Sequence, residues 1–171
     1  MAHNVVITRA VAAFNVDSYN RTVMSTTADI DNGSVFTLAR TEADSLVWTP
    51  TAPASATATG LWMACAPEVP YQDKTHGGTV DPRDYTNVQG RVFDAILPQK
   101  GDIIEMTGEG IADIATKAYL VIDANKMVLK GADEAGTGYA LKKIGASNLH
   151  IGDGAIAPTA VPAYVFEVVN N

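Results

Sequence analysis

The chain is poor in the residues that usually announce chemistry. Its 171 residues include one cysteine, Cys65, so no internal disulfide can form. Cys65 sits in the apolar run Leu61-Trp62-Met63-Ala64-Cys65-Ala66, where a thiol reads as a small buried hydrophobe rather than a nucleophile. Charged residues make up only 18%, and the net charge is −7. An acidic chain without a Lys/Arg cluster (Lys142-Lys143 is the densest) repels phosphate backbones, so no nucleic-acid partner is expected. No segment approaches the ~20 apolar residues of a membrane-spanning helix. The opening Met-Ala-His-Asn-Val-Val-Ile-Thr-Arg lacks the basic flank and apolar core of an export signal, so the chain is expected to be made, and to stay soluble, in a cytoplasm. Asn20-Arg-Thr22 and Asn32-Gly-Ser34 match the glycosylation pattern, which without export reads as coincidence.

The hydrophobic fraction, 47%, is enough for a core, and the length suits one domain. The strongest local pattern runs from Val92 to Thr107. Val92, Asp94 and Ile96 alternate with Phe93, Ala95 and Leu97, Pro98 and Gly101 supply turn angles, and Ile103-Ile104 resumes an apolar run. This predicts a hairpin. Further strands are expected at Val5-Val6-Ile7, Ser34 to Leu38, Val47-Trp48-Thr49 and Leu61 to Ala66. Others follow at Tyr119 to Ile122, Lys126 to Leu129, Tyr139 to Ile144, Leu149 to Ile151 and Tyr164 to Val169. Asp29-Ile30-Asp31-Asn32-Gly33 reads as a turn. Ile111, Ile114, Ala115 and Ala118 have the spacing of one short helix. Pro50 to Gly60, without a charge, reads as a flexible or extended loop, and a long polar loop follows to about Asn87. The expected fold is mainly β: a small sandwich or barrel-like domain over residues 28–171, with an extended arm or edge strand over residues 1–27.

Candidate chemistry dissolves on inspection. His3, His76 and His150 are far apart, with no paired spacing for zinc, and no Gly-x-Ser-x-Gly elbow accompanies them. Asp29-x-Asp31-Asn32-Gly33 resembles the start of a calcium loop, but its glycine is fifth rather than sixth and Arg40 stands where the closing glutamate belongs. Gly108-Glu109-Gly110 lacks the third glycine of a dinucleotide loop, and Gly131 to Gly138 lacks the Gly-Lys-Ser/Thr of a phosphate loop. Asp133-Glu134 and the Asp81/Asp84 pair read as solvated loop charges before they read as acid–base catalysts. No catalytic, cofactor or metal residue is therefore assigned, and no enzyme is expected. Trp48, Trp62 and Tyr71 leave open a carbohydrate-binding module, for which aromatic faces would stack on sugar rings.

Four segments carry a resemblance: Ala28 to Gly33, Leu61 to Tyr71, Tyr85 to Arg91, and Gly101 to Thr107. Taken in that order the chain resembles the head decoration, or cement, proteins of tailed bacteriophages, over residues 28 to 130 and more loosely in the C-terminal strand. The motifs are turn and strand signatures, not catalytic ones. The resemblance implies a non-enzymatic virion protein on the outer capsid surface, with the major capsid protein as partner and a homo-oligomer, a trimer favoured, as its form. It implies reinforcement of the shell against internal DNA pressure. A tail or head-fibre component is the neighbouring reading. Residues 1–27, 50–60 and 72–87 are the contact segments expected on this basis.

Overall fold

In a computed structural model the described residues are 2–40, 46–67, 81–151 and 159–171. The polypeptide is mainly β, as the alternating apolar runs predict. Eleven strands are present among the described residues: β1 (Val6–Ala10), β2 (Asn20–Met24), β3 (Val35–Arg40), β4 (Val47–Thr51), β5 (Trp62–Ala64), β6 (Val92–Ile96), β7 (Ile103–Met106), β8 (Tyr119–Ile122), β9 (Leu129–Ala132), β10 (Ala140–Ile151) and β11 (Thr159–Asn170). They form a six-stranded sheet, ordered β1-β7-β11-β10-β8-β9, and a closed five-stranded barrel, ordered β2-β4-β3-β5-β6.

The barrel wall has two apolar faces, and strand alternation assigns each residue to one of them. Val23, Phe36, Ala64, Phe93 and Ala95 point inward and form one buried cluster. Phe36 and Phe93 meet edge to face there, with ring centroids 6.3 Å apart. Their chain neighbours Val35, Met63 and Ile96 point outward and join Ile104, Met106, Leu120, Leu141 and Phe166 of the six-stranded sheet in a second cluster. One apolar layer thus cements barrel to sheet. Burying aliphatic or aromatic side chains on this scale contributes roughly 1.5–3 kcal/mol apiece before chain entropy is subtracted. Within this layer the Tyr139 hydroxyl is fully buried and has no hydrogen-bond partner among the described residues; burial pushes its pKa well up.

The stretch from Val92 to Thr107 is not a hairpin. Its turn forms as expected: Gly101 has a φ of 93°, and Asp102 N–H donates to the Gln99 carbonyl. However, β6 closes the barrel between β2 and β5, whereas β7 lies between β1 and β11. The turn is a crossover between the layers. Asp102 holds it in place by accepting from the backbone N–H groups of Ala12 and Gln99 at 3.0 and 2.8 Å. Both strands have other partners because both carry apolar residues on two faces, which a free hairpin would leave in water.

Other expectations need correction. Residues 111–118 contain no helix; Asp113 sits at a φ of 59° and its carbonyl accepts from Thr116 and Lys117 N–H, which makes a turn. Helical structure among the described residues is limited to three short 3-10 turns, at Ala12–Phe14, Asp17–Tyr19 and Pro82–Asp84. The segment 50–60 is held rather than loose: its Pro53 and Ala58 carbonyls accept from Asn125 and Tyr139 N–H at 2.8 and 2.9 Å. The strand expected at Lys126 to Leu129 is displaced to Leu129–Ala132, pairing with β8. The two candidates at 139–144 and 149–151 are one twelve-residue strand, β10.

Residues 1–27 contribute more than an arm. β1 is an edge strand paired with β7, but β2 is an interior barrel strand paired with both β4 and β6. Beyond Lys143, β10 pairs only with β11 among the described residues, and this ribbon packs Ile151 and Val161 against Val5. Glu105, fully buried on β7, fixes the arrangement by accepting from Arg9 on β1 and Ser147 on β10. A buried carboxylate is tolerable only when it is paired in this way.

Candidate functional site

Two places gather polar and aromatic side chains, and they lie at opposite ends of the barrel. The first end comprises the start of β2, the finish of β3, and the starts of β4 and β5. Inward alternation from Val23 and Phe36 puts Arg21, Arg40, Trp48 and Trp62 there. The Arg21 guanidinium lies over both indoles, 5.6 Å from the Trp48 ring centre and 5.1 Å from that of Trp62, and Arg40 covers Trp48 at 5.2 Å. A guanidinium between two indole faces is held by the ring quadrupoles and by its planar shape. One terminal nitrogen of Arg21 also donates to the Ser18 and Asn20 carbonyls at 3.0 and 2.7 Å. Arg21 makes no ion pair with a described carboxylate.

This geometry bears on the sugar-binding reading. Both tryptophans are half-buried at the barrel mouth, and each has a face covered by a guanidinium. Each indole therefore has at least one face that is closed to a sugar ring. Tyr71 and His76 lie outside the described residues.

At the other end, residues 25–34 turn beneath the barrel and are clamped by three buried asparagines. Asn32 donates to the Ala66 carbonyl at 2.8 Å and accepts from Ala66 N–H at 3.0 Å. Asn87 donates to Asn32 Oδ1 and to the Ile30 carbonyl, and Tyr85 donates its hydroxyl to Asn87 Oδ1. Asn4 donates to the Asn32 carbonyl and accepts from Gly108 N–H at 2.7 Å. Gly33 follows at a φ of 82°, and a Cβ there would stand 2.4 Å from Asn4 Nδ2. The calcium-like segment is thus a locked turn: Asp29 accepts from Gln89 N–H, and Asp31 accepts from the Thr86 hydroxyl while sharing a 2.7 Å hydrogen bond with His3 Nδ1.

A cleft of about 430 Å³ opens beside this turn, lined by His3, Asp29, Asp31, Thr86 and Glu109 among others. Among the described residues no group of three or more His, Cys, Asp or Glu side chains is placed to hold a metal ion. Asp81 is bound to Arg83 at 2.6 Å, and that hydrogen bond holds its carboxyl below the usual carboxylate range. Asp133 pairs with Lys117 at 2.8 Å, while Asp84, Glu134 and His150 are exposed and separate. Gly108-Glu109-Gly110 leads into a turn rather than a helix.

Sequence reasoning found the two tryptophans but missed Arg21, Arg40 and the Asn4-Asn32-Asn87 network. The arginines were legible in principle, since Arg21 alternates with Val23 and Arg40 with Leu38. Reading residues 1–27 as an arm hid that alternation for Arg21. The asparagine network had no local signal, because its members are separated by 28 and 55 positions. No protein-family model, no curated protein and no solved structure matches the chain, so the site is interpreted from its own geometry.

Proposed function

We propose that the chain is a non-enzymatic structural protein of a tailed-bacteriophage virion, binding the outer surface of the capsid and stabilising the shell. The observation that carries this reading is where its buried polar groups are spent. Asn4, Asn32, Asn87, Asp102, Glu105 and Thr107 are all buried, and each is engaged with backbone or side chains of a distant segment. Polar groups used this way rigidify a framework. The turn and strand residues behind the resemblance (28–33, 61–67, 85–91 and 101–107 among those described) are the same framework: the locked turn, β5 and its flanks, and the crossover into β7. A protein that must sit on a pressurised shell benefits from that kind of stiffness.

The test is co-sedimentation of the purified chain with expanded, empty heads of the phage that encodes it. Binding at a fixed stoichiometry, with heads that then survive hotter or lower-salt conditions, is the expected result. A chain that stays in the supernatant at micromolar concentration overturns the reading. Light scattering of the free protein tests the homo-oligomer, for which a trimer is the expected mass.

A further inference from the structure

We propose that the arginine–tryptophan end of the barrel, with Phe14 and Leu46 at its rim, is the surface that docks on the shell, against apolar side chains fringed by carboxylates. This rests on the decoration reading and specifies which face it uses. Three observations converge on this end. The first is residue type. Arginine and tryptophan dominate the energetic centres of protein interfaces, and here Arg21, Arg40, Trp48 and Trp62 form one stack.

The second is the exposed apolar rim. Leu46 and Phe14 are the two most exposed large hydrophobic side chains among the described residues, at 86% and 68%. Leu46 stands two residues before Trp48 on the way into β4. Phe14 shares with Arg21, Asn20 and Ile96 a cleft of about 660 Å³ that runs from the start of β2 along the outer flank of the barrel beside β1 and also carries Asp17 and Asp94. Large apolar side chains left in water next to an aromatic–cationic stack mark an interaction surface.

The third is charge. Arg21 is held by the indoles and two carbonyls, and its Nε and second terminal nitrogen have no hydrogen-bond partner among the described residues. The side chain is fixed before binding, so little rotamer entropy is lost when a carboxylate arrives, and a planar fork favours two-point contact with one. The opposite end differs. It exposes Val88, Val92 and Val128, all smaller; its asparagines are tied to one another, and Glu109 lines the cleft there with one buried carboxylate oxygen that has no hydrogen-bond partner among the described residues.

The experiment compares full-length variants for binding to expanded empty heads. Phe14→Asp with Leu46→Asp changes two exposed side chains of the proposed surface. Val92→Asp with Val128→Asp makes an equal change at the far end. Melting curves confirm that both fold. The expected result is a loss of about 30-fold or more in affinity for the first pair, the scale of a lost interface centre, and a change within about 2-fold for the second. Arg40→Glu, on an exposed side chain, is expected to slow association and to remove much of its salt dependence. Equal binding by wild type and the Phe14/Leu46 variant overturns the docking surface and leaves the decoration reading standing. Equal losses in both double variants also overturn it. A wild-type chain that ignores the heads overturns both. If the Phe14/Leu46 variant binds heads normally but scatters light as a smaller particle than wild type, the surface belongs to contacts between copies, and the shell assignment is overturned.

Discussion

The two ends of the barrel are built from different physics. At one end the Arg21 guanidinium lies over two indoles and Arg40 covers one of them, so cations and aromatics hold each other. At the other end three asparagines satisfy backbone groups from segments far apart in sequence. The first arrangement tolerates loss of a member, because a stacked pair contributes about 0.5–2 kcal/mol and water can reach what is left. The second does not, because every amide removed strands a buried donor or acceptor. The two ends can therefore answer substitution differently without competing for the same residues.

That contrast can be broken by measurement. Asn32→Ala is expected to be the most damaging single change, since it strands the Ala66 N–H and carbonyl and one Asn87 bond. On the order of 4 kcal/mol should be lost in urea unfolding. A cost below about 1 kcal/mol would show that the network is ornamental. Gly33→Ala is expected to cost about 2 kcal/mol, from the left-handed backbone angle and the close approach to Asn4.

Arg21→Met keeps the apolar stem but removes the cation. It should cost about 1 kcal/mol and change the tryptophan emission. If it costs as much as Asn32→Ala, the distinction between the two ends fails.

The smallest effect belongs to Asp81, whose pair with Arg83 adjoins the locked end through the His3 N–H to Arg83 carbonyl bond. Its folded pKa lies below the ordinary value of 3.8. The pair therefore stabilises the fold above that value, and the contribution is lost as pH falls through the folded pKa. Asp81→Asn should slightly lower stability near neutrality and flatten its decline below about pH 4; an unchanged acid limb would show that the pair contributes nothing.

Much of the fold was legible because strand formation is local. Alternation at Phe93/Ala95 and at Val35/Phe36, and the β-branched run before Val169, mark strands wherever they pair. The turns were legible too: Asn32-Gly33 and Pro98 to Gly101 bend as their residue types demand. The errors share one cause. Val92 to Thr107 looks like a hairpin because turn chemistry says that the chain bends, not whether the next strand returns to its neighbour or crosses to another sheet. The spacing of Ile111, Ile114, Ala115 and Ala118 imitates a helix, but glycines at 108 and 110 and the left-handed Asp113 direct the chain into turns instead.

By itself the amino-acid sequence determined that this is a β protein with a real core, one thiol, an acidic surface and turns at defined places. Composition and periodicity act over a few residues, and those preferences survive in any arrangement. Only the tertiary structure decided which strands close into a barrel, that β2 belongs to it, and that Arg21 meets Trp48 and Trp62 while Asn4 meets Asn32. Such contacts join residues tens of positions apart. They form only because the two-faced strands β3, β5 and β6 must bury one face inside the barrel and the other against the sheet, and that requirement sets which distant segments meet.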